Sequence, residues 1–89
     1  MNVKRVTLNG KTTISFPHKS PKWLVKNFSE ADITVSFEEN AAEDEVITIA
    51  SQMGQVIVEN ENATVYKYVH DTIYITGSGI VEVQQLCYR

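Results

Sequence analysis

The run from Thr72 to Gln84, TIYITGSGIVEVQ, decides the fold class. Its apolar residues Ile73, Ile75, Val81 and Val83 all fall on odd positions, with Tyr74 and Glu82 between them. Period two marks a strand with one buried face, and Val, Ile, Thr and Tyr suit that pleated surface. Between the two halves lies Gly77-Ser78-Gly79. Read as a three-residue hairpin loop, it sets Thr76 against Ile80, Ile75 against Val81 and Ile73 against Val83. The four aliphatic residues then point inward together. Tyr74 and Glu82 share the outer side, where a tyrosine's apolar body and polar tip suit contact with a partner.

The same alternation continues upstream. DITVSFE puts Ile33, Val35 and Phe37 on one side, and VITIA, QVIVEN and TVYKYV follow it. Nearer the N-terminus lie VKRVTL, KTTISF and WLVKNF, and no run holds a 3.6-residue period over three turns. The pattern predicts an all-β chain with residues 1–89 as one domain: a small antiparallel β-sandwich, jelly-roll-like, of about eight short strands. At Asn9-Gly10 a two-residue turn would split the apolar set. A bulged three-residue turn keeps Val6, Leu8, Ile14 and Phe16 together. IASQMGQV reads as a four-residue loop, Ser51 to Gly54, with Ile49 facing Val56 and Ile47 facing Val58. For residues 65–69 two registers stand. A two-residue turn at His70-Asp71 brings Tyr66 and Tyr68 inward and leaves Lys67 outside; a three-residue turn brings in Val65 and Val69. FPHKSPKW, with two prolines, reads as a crossing loop. EENAAEDE reads as a second long connection.

Composition narrows the function. At 89 residues and 43% hydrophobic, the chain folds as one domain whose stability is marginal at this size, so self-association would help it. The single cysteine, Cys87, excludes an intramolecular disulfide and a cysteine-rich zinc site. The N-terminal residues lack the apolar run of a signal peptide, and no segment reaches the ~20 apolar residues of a membrane helix. The expectation is therefore a product of the cytoplasm with no membrane role. Charge is lopsided: residues 1–30 hold six of the eight Lys and Arg and one acid, while residues 31–89 hold the other two and ten acids. Basic and acidic faces of neighbouring copies can meet head to tail on such a chain.

Candidate chemistry is sparse. His18 stands beside a proline and His70 in an expected turn, and no Gly-x-Ser-x-Gly elbow is present, so no nucleophile, base and orienting group converge. Enzyme activity is not expected. Glu38, Glu39, Glu43, Asp44 and Glu45 supply oxygen ligands of the kind calcium takes, but their spacing matches no calcium loop and no glycine makes its turn. They read as a solvated acidic loop, with no metal and no cofactor. Lys19, Lys22 and Lys26 around Trp23 would suit a stacking platform for single-stranded nucleic acid. The acidic chain as a whole argues against that partner. Asn27-Phe28-Ser29 and Asn62-Ala63-Thr64 match the glycosylation sequon and, with no secretion signal, are read as chance. The candidate interface is Tyr74, Glu82, Lys19, Lys22 and Trp23. Trp23 with Tyr74 also supports an alternative, a ligand-binding sandwich such as a carbohydrate-binding module.

WLVKNFSEADITVSF, the glycine turn in SQMGQVIVEN and the ending DTIYITGSGIVEVQ together resemble small structural proteins encoded by tailed bacteriophages and prophages. In that group a short Asn-Phe/Tyr-Ser phrase precedes a strand, and an Ile-Tyr-Ile-x-Gly-x-Gly-x-Val-Glu-Val phrase closes the chain. The resemblance covers about residues 23–86. It implies a compact β-sandwich serving as a virion part, on or near the capsid or at the head–tail region. Its partners would be protein, through self-association or a larger assembly, and its place the bacterial host cytoplasm and then the virion. Its motifs are turn and strand phrases, so no functional residue carries over, and residues 1–22 lie outside it.

Overall fold

The structure, a computed structural model, describes residues 3–41, 46–58 and 70–87. Among these are six strands and no helix: β1 (Val3–Ser20), β2 (Lys22–Asn27), β3 (Ile33–Ser36), β4 (Ile47–Ile49), β5 (Gly54–Val58) and β6 (His70–Cys87). All pairings are antiparallel and belong to one sheet. The chain is therefore all-β, with six described strands where about eight were expected. The run TVYKYV and its two registers, with Tyr66 and Tyr68, lie outside the described residues.

The Thr72–Gln84 run is not a hairpin. It lies wholly within β6, whose partner is β1, register for register from Val3↔Gln84 to Ser15↔Thr72. Asn9-Gly10 is no hairpin either: Asn9 faces Ser78 and Gly10 faces Gly77. Two expected hairpins are thus one pair of long strands. The inward set is nevertheless as read, with Ile73, Ile75, Val81 and Val83 fully buried. Leu8, Ile14 and Phe16 are buried too, and Val6 packs against them. An unbroken strand keeps every odd residue of β6 on one face, as the hairpin does, so parity alone does not tell them apart.

The glycines make a crease instead of a turn. Gly10 and Gly79 take φ of 91° and 102°, a left-handed region open to glycine. The remaining chain follows the same crease. β2 runs along the second edge of β6 from Lys22↔Cys87 to Asn27↔Val81, and β3 continues that line from Thr34↔Thr76 to Ser36↔Tyr74. β4 lies on β3 (Val35↔Ile47, Ile33↔Ile49), and β5 lies on β2 (Lys26↔Gly54 to Lys22↔Val58). Four lines of chain therefore sit side by side in the order β1, β6, β2–β3, β4–β5, and each changes direction at the crease. β4 and β5 do not pair with each other, which corrects the expected Ile49–Val56 and Ile47–Val58 contacts. The register Trp23↔Ile57 turns Ile57 inward, and Val56 and Val58 outward.

The sheet then curls until it nearly closes. Ser20 pairs with His70 at the start of β6, and two residues later Lys22 pairs with Cys87 at its end. Both ends of β6 thus meet around Pro21, giving a nearly barrel-shaped sheet. This corrects FPHKSPKW as a crossing loop. β1 runs through it, with the register slipping between Ser15 and Ser20. Pro17 is tolerated because β1 pairs, among the described residues, only with β6, so one edge needs no donor. At Pro21, Ser20 Oγ donates to the Lys22 carbonyl at 2.7 Å and accepts from the Lys22 N–H at 3.1 Å. The side chain so satisfies backbone groups beside the residue that has no N–H. One core cluster draws on both sides of the crease: Ile14, Ile33, Val35 and Ile75 on one, Trp23, Val25 and Val83 on the other, with Leu8 at the crease itself.

Candidate interaction surface

Positions that point out of the curled sheet form two different faces, one on each side of the crease. The face over β4, β3 and the first half of β6 carries hydroxyls: Thr13, Thr34, Thr48 and Thr76 around Tyr74. The face over β5, β2 and the second half of β6 is apolar and basic. All six large apolar side chains exposed among the described residues lie on it or on its crease edge: Val56, Val58 and Leu86 on the strands, Phe28, Met53 and Ile80 at the crease. Leu24 joins them, half-buried beside Val56. Exposed apolar side chains gathered on one side of a small domain mark contact sites.

A charge cluster divides the two apolar groups. Arg5 Nη2 reaches Glu82 Oε2 at 2.9 Å, and Lys26 Nζ lies 3.7 Å from Glu82 Oε1. The register supplies this contact, since Arg5 and Lys26 both pair with Glu82, one from each side of β6. The Arg5 hydrogen bond, more than any other interaction, holds the Glu82 carboxyl below its ordinary range; partial desolvation works against it. Arg5 also lies over the Phe28 ring, 5.2 Å from its centroid. With Lys22 on the same side, the described residues of this face carry three cations to one acid.

The crease is held by a buried polar knot. Asn27 Nδ2 donates to the carbonyls of Ala31, Ile49 and Ala50 at 2.9, 3.1 and 3.2 Å, and its Oδ1 accepts from Ser29 N and Oγ at 2.9 and 2.6 Å. Gln52 Nε2 adds bonds to the carbonyls of Phe28 and Ser29. No buried side-chain polar atom among the described residues lacks a partner. The Asn-Phe-Ser phrase therefore meets the Gly-x-Gly phrase in space: Phe28 N–H donates to Ile80 O at 2.9 Å, and Ser29 sits against Gly79. Their role here is structural. Asn27 is 1% exposed, so its sequon is closed to a glycan in the folded chain.

The expected interface residues are scattered over this frame. Trp23 is a correction: it is fully buried, edge-on to Phe16 at 5.3 Å, beside Phe37 at 5.6 Å, with Nε1–H donated to the Ser20 carbonyl. Strand alternation sends it into the core with Val25, which removes both the stacking platform and the aromatic pair of a sugar site. Tyr74 and Glu82 do point outward, but from opposite sides of the crease, because β6 is one strand and not two paired ones. Tyr74 borders a hollow of about 160 Å³ with Lys11, Ser36, Glu39 and Thr76. Lys19 and Lys22 are exposed, Lys19 in the slipped part of β1 and Lys22 on the basic face. His70 stacks on Phe37 at 4.7 Å, and the His18 carbonyl accepts from Gln85 Nε2. Glu43, Asp44 and Glu45 lie outside the described residues, and among those described no group of three or more His, Cys, Asp or Glu side chains is placed to hold a metal ion. Likewise, no helix among them is long and apolar enough to cross a membrane.

Arg5, Leu24 and Leu86 were not singled out from the sequence, Lys26 entered only with the nucleic-acid platform, and Val56 and Val58 only as partners of Ile49 and Ile47. A signal existed in Val56-Ile57-Val58: three consecutive apolar residues on a strand leave at least one of them facing out. No family model, curated protein or solved structure matches this chain.

Proposed function

We propose that the chain is a non-enzymatic structural and interaction module, a tailed-phage or prophage virion component that works by docking onto protein. The observation that carries this reading is the difference between the two outer faces, with the exposed large apolar side chains gathered on one around the Arg5–Glu82–Lys26 cluster. Apolar anchors around a few fixed charges are the make-up of a protein contact surface. The virion assignment comes from the resemblance of residues 23–86. In this reading the two halves of the creased sheet act as the layers of a small jelly-roll-like sandwich, one layer turned to the assembly. A carbohydrate-binding role loses its support with the burial of Trp23.

The test is the composition of particles from a strain carrying the gene. Peptides of this chain that band with particles through a density gradient, and that are lost from the band in an Ile80→Lys, Leu86→Lys double variant, support the reading. A wild-type chain found only in the soluble fraction overturns it. Because the docking face is basic, its hold on the particle should weaken as salt rises.

A further inference from the structure

We infer that β5 is a pairing edge, and that two copies of this chain join β5 to β5 antiparallel, about a twofold axis through Val56. The inference rests on reading the chain as an assembly module, and it names the partner of one edge of the apolar face.

The sheet has three outer edges among the described residues, and they are treated differently. β1 is long but guarded. It carries Lys4, Arg5, Lys11, Lys19 and Pro17, its register slips, and Lys4 and Lys11 donate to the carbonyls of Ser15 and Glu39. Lysines, proline and irregular register are the usual means of keeping an edge from pairing. β4 is only three residues long. β5, Gly-Gln-Val-Ile-Val, has neither charge nor proline and runs five residues beside β2 with no second partner strand among the described residues. Its outward side chains, Val56 and Val58, are 50% and 46% exposed. An uncharged, β-branched edge of this length is a template for strand addition.

Self-pairing fits this edge. A register centred on Val56 uses all five residues, matching Val56 with Val56, Gln55 with Ile57 and Gly54 with Val58 of the second copy. A one-residue slip would put the two copies' cores on opposite faces of the joined sheet, because Ile57 stays matched to Trp23 in each copy. The result is an isologous contact, the commonest way for identical chains to close. Charge selects the edge over the face. Two copies set face to face would oppose Arg5, Lys22 and Lys26 with, among the described residues, only Glu82 to offset them. Edge to edge, the nearest β2 cations stand three strand spacings apart, about 14 Å, which exceeds the screening length of about 8 Å at physiological salt. The pair would present one apolar, basic face of double width to the assembly.

Sedimentation velocity over a concentration series tests this with the full chain and three variants. Wild type should move from 10.0 kDa towards twice that mass, and its association should change less than about twofold between roughly 0.05 and 0.5 M salt. Val56→Lys and Val56→Asp each place like charges opposite one another on the axis and should remain monomeric. Mixed in equal amounts, they should form a heterodimer at least about tenfold tighter than either self-pair, since opposite charges now face each other. Thr48→Lys, on the hydroxyl face, should leave the wild-type dimer intact, and a blue-shifted Trp23 emission checks that each variant is folded. If wild type stays monomeric, the inference falls. It also falls if the charge swap fails to rescue pairing. A monomer that still bands with particles would sink the edge and spare the docking role; a charge-swappable dimer absent from particles would do the reverse.

Discussion

Gly79 is held at φ 102°, and a Cβ built there would stand 2.5 Å from the Cβ of Ser29. Gly10 has a similar φ of 91° but nothing within 4 Å of that position. Two alanine substitutions therefore separate backbone strain from crowding. Gly10→Ala should cost about 1–2 kcal/mol from the left-handed backbone alone. Gly79→Ala should cost about 2–5 kcal/mol, because overpacking of roughly 1–3 kcal/mol adds to the strain. Urea unfolding of both variants checks the ranking, and equal losses would show that the Ser29 contact does not matter. Asn27 gives a second contrast. Asn27→Asp keeps the shape but replaces a buried donor to three carbonyls with an acceptor, so a loss of about 3–5 kcal/mol is expected in the same measurement. Glu82 supplies the pH dependence. Its folded value lies below the ordinary 4.5, chiefly through the Arg5 hydrogen bond. Its stabilisation is thus complete above pH 4.5 and is lost as the pH falls through the lower folded value. In Tm measurements, wild type should exceed Glu82→Gln at neutral pH, and the gap should close as the pH falls below 4.5 and through the lower folded value. A gap that widens in acid would contradict the assignment.

β6 shows what was legible along the chain and what was not. Which of its residues face inward follows from alternation alone, and Ile73, Ile75, Val81 and Val83 are buried as that rule requires. Pairing was not legible, because a glycine between two alternating runs allows a hairpin or a crease. The choice lies with a distant partner: Gly10 set opposite Gly77, and Ser29 and Ile33 lying where side chains at Gly79 and Gly77 would sit. The same non-locality hid the outward turn of Val56 and Val58, which depends on Ile57 being matched to Trp23. Proline misled in another way, since Pro17 is harmless on a strand whose second edge takes no partner among the described residues. The crease predicts a specific pattern of cross-strand contacts. Proton–proton contacts by NMR should join Gly10 to Gly77, Ile14 to Ile73 and Val6 to Val81. Strong backbone contacts between Ile75 and Val81 would instead indicate the hairpin. Amides flanking Gly77 and Gly79 should also exchange slowly, as in mid-strand, not at the rate of an exposed turn.

One core spans the crease, and this sets how the whole molecule should come apart. Trp23 sits where the curl nearly closes, against Phe16 of β1 and Phe37 just after β3, with its indole N–H on the Ser20 carbonyl beside Pro21. Gln85, near the end of β6, is buried and donates to the His18 carbonyl of β1 at 2.6 Å. Neither half of the sheet keeps its buried side chains covered if the other leaves, since Val25 and Val83 share a cluster with Ile33 and Ile75. Unfolding should therefore be a single cooperative step, as is usual for domains of this size. Trp23 reports on the closure and far-UV circular dichroism on all six strands, so the two probes watch different parts of one event. The native emission should be blue-shifted and little quenched by acrylamide, because Trp23 is 0% exposed. Under urea the two transitions should coincide in midpoint and slope. If Trp23 became quenchable while the strand signal persisted, the curl would open before the sheet dissolves, and the near-closed shape would be a separable feature resting on the contacts around Pro21.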